Sequence, residues 1–167
     1  MAENVLKKVL KPEPPEAQLV ARLAEAGWKI ATAESCTGGL IGATIVNVPG
    51  ASDVFEQGLI TYSNEAKVRL LGVNEATLAA YGAVSRETAG EMALGAARSA
   101  KAEVAISSTG IAGPGGGTPE KPVGLVYLAC YVRGKVTVRC CHFQGSREEV
   151  RRSSVQCALE LALRCLV

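Results

Sequence analysis

Short apolar runs alternate with helix-period segments along most of this chain, and that alternation leaves few folds open. The spacing predicts a helix over Ala17–Ala26, with Leu19, Val20, Leu23 and Ala24 on one stripe and Gly27 as its stop. Trp28–Ala33 reads as a short buried strand, after which Glu34-Ser35-Cys36-Thr37-Gly38-Gly39 opens a small-residue helix to about Val46. Phe55–Tyr62 is a second strand, Asn64–Leu71 a helix closed by Gly72, and Asn74–Tyr81 another short helix. Ser85 is a good N-cap for a helix whose thin apolar face is Ala89, Met92, Ala93, Ala96, Ala97 and Ala100. Val104–Ser108 is the third strand. Val123–Val132 and Val136–Phe143 are strands joined by Arg133-Gly134, a spacing that suits a tight hairpin, and a last helix starts near Arg147. Strands alternating with helices, plus one late hairpin, specify an α/β fold: a three-layer α/β/α sandwich with a mixed five-stranded sheet.

A chain of 167 residues fits one domain, spanning residues 16–167, preceded by a Lys/Pro-rich arm over residues 1–15 that reads as loosely held. Its 18 glycines and 25 alanines, against 4% aromatic residues, imply elements packed close together around tight loops. So few aromatics argue against base-stacking nucleic-acid modules, and a net charge of +2 is too weak to imply a polyanionic partner. The six cysteines (Cys36, Cys130, Cys140, Cys141, Cys157 and Cys165) form no CxxC pair, and His142 is the single histidine. Buried reduced thiols are expected, and neither a metal nor a cofactor. The N-terminus lacks the apolar core of a signal peptide, and the longest apolar run, Val123–Val132, falls short of the ~18 residues of a membrane span. The expectation is a soluble, cytoplasmic protein without a membrane partner.

Four segments could carry chemistry. Glu34–Gly39 puts hydroxyls at a strand-to-helix turn, where free backbone N–H groups and the helix dipole could stabilise an oxyanion. Ser35 is the better nucleophile there and Cys36 the rival, since a catalytic thiol wants a histidine partner. Spacing alone favours the blander alternative, in which Ser35 or Thr37 caps the following helix. A serine needs a base, and Lys67 could serve if buried, because desolvation disfavours its ammonium form; otherwise it is a solvated lysine paired with Glu65 or capped by Asn64. Tyr62 would lie at the same sheet edge. The loop Thr109–Pro122, with five glycines and three prolines, follows a strand and so lies where open α/β sheets bind ligands. Arg147, Arg151 and Arg152 at the start of the last helix suggest an anion site, or surface pairing of Glu148 with Arg152.

Four segments carry a resemblance: Thr32–Gly39 (TAESCTGG), Ile60–Lys67 (ITYSNEAK), Gly82–Ser85 (GAVS) and Ser107–Gly117 (SSTGIAGPGGG). In this order they resemble the CinA C-terminal domain family, from about Ala17 to the end. Enzymes of that family are nicotinamide-nucleotide amidohydrolases, which convert nicotinamide mononucleotide to nicotinate mononucleotide and ammonia in pyridine-nucleotide salvage. The resemblance implies a Ser/Lys mechanism with Ser35 as nucleophile, Lys67 as general base and Tyr62 orienting or relaying the proton. It implies a small-molecule nucleotide substrate, met by Cys36, Thr37, Gly38, Gly39, Thr109, Gly110, Gly113 and, for the phosphate, Arg147. Ser146 stands where relatives often carry an acidic residue. The alternative is a competence- or damage-associated nucleotide-binding module without catalysis, although such a member would be expected to lose Ser35, Tyr62 or Lys67.

The last helix also bears on assembly. Val150, Ser154, Cys157, Ala158, Leu161 and Cys165 form one stripe for the sheet, yet Val155, Leu159, Ala162, Leu163 and Leu166 fall outside it. A helix apolar on so many sides needs a second cover, which predicts a homo-oligomer, dimer or trimer, unless the N-terminal arm folds over that face.

Overall fold

A computed structural model describes residues 13–167, which form helices on both faces of a single sheet. The elements are α1 (Pro15–Ala26), β1 (Ile30–Glu34), α2 (Leu40–Val46), β2 (Phe55–Ile60), α3 (Asn64–Leu71), α4 (Glu75–Tyr81), α5 (Arg86–Ala100), β3 (Val104–Gly110), β4 (Leu125–Val132), β5 (Lys135–His142) and α6 (Arg147–Cys165). The strand order is β2-β1-β3-β4-β5. β1 runs parallel to β2 and β3, while β3–β4 and β4–β5 are antiparallel. This is the mixed five-stranded sheet that the alternation specifies. The arm expected over residues 1–15 lies outside the described residues up to residue 12, and Pro15 already belongs to α1.

The two faces differ in the size of the side chains they bury. On one, Ala31, Ala33 and Ala105 meet Met92, Ala96 and Ala97 of α5, so helix and sheet approach closely. A Cβ at Gly95 would collide with the backbone carbonyl of Leu71, which fixes how near α5 lies to the end of α3. On the other face, Ile30, Val104, Ile106 and Leu128 pack with Leu19 and Leu23 of α1, Ile41 and Ile45 of α2, and Ala158 and Leu161 of α6. Helix starts follow side-chain caps: Ser63, Asn74 and Ser85 each accept a backbone N–H, and Ser146 with Glu149 forms a full capping box.

The second apolar side of α6 is covered within the chain. Val155, Leu159 and Ala162 are buried in the same cluster as Leu19, Leu23, Ile41 and Ile45, because α1 and α2 pack against α6. The cover is thus α1, and the ground on which α6 predicted a dimer or trimer is removed. Among the described residues no helix is long and apolar enough to cross a membrane.

Candidate active site

The carboxyl ends of β1, β2 and β3 converge where the chain leaves β1 into a tight turn. Ser35 is held there by its own N–H, which donates to the Ser108 carbonyl at the end of β3 (2.9 Å). The turn is anchored by Glu34, the last residue of β1 and only 1% exposed. Its carboxylate accepts from the Thr37 hydroxyl (2.6 Å) and from the N–H groups of Gly39 (3.1 Å), Ile41 (3.0 Å) and Gly42 (2.8 Å). The start of α2 is therefore capped by a carboxylate from the preceding strand, with no side-chain cap from its own N-cap residue, Gly39. Thr37 also bonds the Ser108 hydroxyl at 2.6 Å, so neither Ser35 nor Thr37 performs the capping that spacing alone suggests.

The Ser35 hydroxyl instead faces Lys67. The Lys67 Nζ donates to Ser35 Oγ at 3.1 Å and to the Thr61 carbonyl at 2.8 Å. Lys67 is 1% exposed and has no carboxylate partner among the described residues, which disposes of the solvated alternative with Glu65 or Asn64. Burial holds its amine below the ordinary lysine value, a shift only partly opposed by the neighbouring Cys36. The rival nucleophile is in the opposite condition. Burial pushes the Cys36 thiol up to about 11, and its side chain belongs to the core beneath α1 and α2. A neutral, enclosed thiol is a poor nucleophile.

Half of the amides of Cys36–Gly39 are committed. The Gly38 N–H donates to the Ser35 carbonyl and the Gly39 N–H to Glu34, whereas those of Cys36 and Thr37 have no partner among the described residues. Arg151, reaching from α6, fixes the turn from outside: its Nε donates to the Cys36 carbonyl (3.1 Å) and its terminal nitrogen to the Thr37 carbonyl (3.0 Å).

The other expected site residues lie around this dyad at different remove. Tyr62 is 61% exposed, and its hydroxyl accepts from Arg147 at 3.0 Å, with no bond to Ser35 or Lys67. Arg147 also donates to the Gly113 carbonyl (2.8 Å), so Tyr62, the glycine-rich loop and the start of α6 meet at one guanidinium. Thr109 is buried and spends its hydroxyl on the Ala83 carbonyl (2.7 Å), while Gly110 ends β3 with its backbone against Val126. Arg152 takes the surface role, paired with Glu148 at 2.6 Å. Glu34 and Arg151 were not singled out for these positions by the sequence. An acid one residue before a strand-to-helix turn is a capping signal for Glu34, and Arg151 sits one helical turn after Arg147.

A doubly covered α/β sheet with a serine–lysine pair at its carboxyl edge defines the class. The chain belongs to the CinA C-terminal domain family, whose model matches residues 13–166. It is 54% identical over 155 residues to a CinA-like protein of Kosmotoga olearia, covering 93% of this chain and 38% of the relative's length. The structure of the competence/damage inducible protein CihA from Agrobacterium tumefaciens superposes with a TM-score of 0.85 at 44% identity, covering 94% of this chain and 98% of that one. A competence-damaged protein superfamily member from Klebsiella pneumoniae gives a TM-score of 0.88 at 34% identity, covering 91% and 95%.

Proposed function

We propose that this chain is an amidohydrolase acting on nicotinamide mononucleotide, and that it releases ammonia and nicotinate mononucleotide through a Ser35 acyl-enzyme. One observation carries the reading: a lysine 1% exposed and without a counter-ion among the described residues, its Nζ 3.1 Å from the hydroxyl of a serine at a strand-to-helix turn. Desolvation disfavours the ammonium form of Lys67, and the neutral amine accepts the Ser35 proton as Oγ attacks the carboxamide carbon. The developing oxyanion takes the uncommitted N–H groups of Cys36 and Thr37, a smaller donor set than the four amides of Cys36–Gly39. When the intermediate collapses, the ammonium of Lys67 returns the proton to the leaving nitrogen and ammonia departs. Water then attacks the ester with Lys67 again as base, restoring Ser35 and freeing the acid.

Recognition falls to the exposed side of the dyad. Arg147 uses two of its five N–H donors on Tyr62 and Gly113, so donors remain for a phosphate at the start of α6, where the helix dipole adds to the attraction. Tyr62 is then a positioning group on the substrate side, and both proton transfers rest on Lys67. Incubation with nicotinamide mononucleotide should yield equal amounts of ammonia and nicotinate mononucleotide. Absence of both products from folded protein would overturn the reading.

A further inference from the structure

The turn that carries Ser35 does not fix its own peptide planes. Gly38 and Gly39 sit at φ 59° and 98°, and glycines tolerate either orientation of the amides around them. What fixes the planes comes from α6. Arg151 Nε donates to the Cys36 carbonyl (3.1 Å) and a terminal nitrogen to the Thr37 carbonyl (3.0 Å), so one guanidinium holds two consecutive carbonyls. The fit is close: a Cβ at Gly38 would come within 3.3 Å of that terminal nitrogen. The base of the side chain is firm, since Val150 beside it is 1% exposed and α6 starts in the capping box of Ser146 and Glu149. Arg152, the next residue, pairs with Glu148. Arg151 pairs with no carboxylate among the described residues, and its charge is delivered to the turn.

Both peptides are trans, so each N–H points opposite to its carbonyl. The carbonyls of Cys36 and Thr37 face α6, and the N–H groups of Thr37 and Gly38 therefore face away from it. On that side the Gly38 N–H donates to the Ser35 carbonyl (3.1 Å), which marks it as the side of the nucleophile's own residue. The Thr37 N–H has no partner among the described residues. It shares a peptide with the Cys36 carbonyl. A charged donor on that carbonyl draws electron density through the amide and makes its N–H a stronger donor.

We propose that Arg151 is a positioning residue of the Ser35 site: it holds the Cys36–Thr37 peptide against rotation and strengthens the Thr37 N–H as an oxyanion donor, without touching the substrate. This rests on the acyl-enzyme reading given above. As Oγ attacks, negative charge moves onto the carboxamide oxygen, and no proton passes to or from Arg151. The contribution falls on kcat, because the charge exists only once attack has begun, and it is independent of the Lys67 titration.

The test takes the full chain as Arg151→Met and Arg151→Lys, with Arg152→Met as the control for charge lost from the same helical turn. On nicotinamide mononucleotide, Arg151→Met should lose about 10- to 100-fold in kcat, less than the roughly 10²–10³ of deleting an oxyanion donor outright. KM should stay unchanged, and the pH midpoint of kcat/KM should stay where the wild type has it. Arg151→Lys keeps the charge but not the fork; its kcat should fall between the two, and it carries the test if the methionine variant does not fold. Arg152→Met should match the wild type. In NMR spectra of isotope-labelled protein, the Thr37 amide resonance should move upfield in the Arg151 variants, because the carbonyl of its peptide loses a charged donor. Unchanged kcat in both Arg151 variants would overturn the proposal, as would a rise in KM alone, which would make Arg151 a substrate contact. An equal loss in Arg152→Met, or a Thr37 amide that does not move, would overturn it too. A folded wild-type chain that releases no ammonia would instead overturn the amidase reading, and the Thr37 resonance would still report whether Arg151 holds the turn.

Discussion

Replacing Lys67 by methionine separates the two consequences of burying an amine. The unfolded chain titrates this lysine near ~10.4, whereas in the fold burial lowers it. Between the two values the unfolded state holds more protons than the native one, so unfolding free energy rises with pH across that window. The slope for one group is about 1.4 kcal/mol per pH unit. Below the native value both states are protonated, and the contribution is flat at its least favourable level. Lys67→Met keeps the length of the side chain and removes the proton. The stability of wild type minus that of the variant, from urea titrations at pH values up to about 10, should therefore climb at about 1.4 kcal/mol per unit and flatten at the acid end. Groups such as Cys36, pushed up to about 11 by burial, titrate in both proteins and largely cancel in the difference.

In the proposed mechanism the same proton governs turnover. In the wild type, kcat/KM for the amidase reaction should rise with pH through the native value of Lys67, and its midpoint should coincide with the foot of the stability window. The variant should lose about 10²–10⁴ in kcat, or about 3–5 kcal/mol of barrier, the usual contribution of a positioned base. Identical pH slopes of stability in the two proteins, or a kcat/KM that does not vary with pH, would refute the assignment of Lys67 as the base.

Ser35→Ala should abolish ammonia release while calorimetry still detects nucleotide binding, and Cys36→Ala should retain appreciable activity; the reverse pattern would transfer the nucleophile to the thiol. Lys67→Arg should be nearly inactive at every pH, since a guanidinium stays protonated. Gly95→Ala should cost about 1–3 kcal/mol and lower Tm by several degrees, because its methyl meets the Leu71 carbonyl of the neighbouring helix, and a thermal melt reads this directly. Glu34→Gln should lower stability by about 1.5–3 kcal/mol, as an amide nitrogen is set against N–H donors that the carboxylate accepts.

The order of elements was legible because periodicity alone separates strands from helices here, and the turn residues fall between them: Gly27 and Gly72 stop their helices and Ser85 starts one, as composition suggests. Strand ends were not. β1 runs Ile30–Glu34 instead of Trp28–Ala33, because Glu34, a residue that composition would leave in a loop, is drawn into the strand by the donors behind it. The same effect hid the cap of α2, whose partner lies outside the helix. The dyad was legible as residue types at one sheet edge, but the burial of Lys67 depends on how α3 closes over Thr61. What covers α6 was not legible either: the sequence shows an apolar stripe on α1 but not which element it meets, and in the fold Leu19 and Leu23 share one buried cluster with Leu159 and Ala162.

The alternation of a β-strand explains how one sheet edge keeps an acid and a base without letting them neutralise each other. Glu34 and Ser35 are consecutive at the end of β1, and consecutive side chains leave a strand on opposite faces. Glu34 turns to the face of α2, where the hydroxyl of Thr37 and three backbone N–H groups carry its charge. Ser35 turns to the face of α3, where Lys67 has, among the described residues, only a hydroxyl and a carbonyl as partners. Were the carboxylate on the same face, it would pair with the amine and raise its proton affinity, cancelling the effect of burial. None of the influences on Lys67 comes from a carboxylate, and burial is the largest. The single-residue step from Glu34 to Ser35 thus lets the carboxylate build the turn while burial goes on lowering the proton affinity of Lys67.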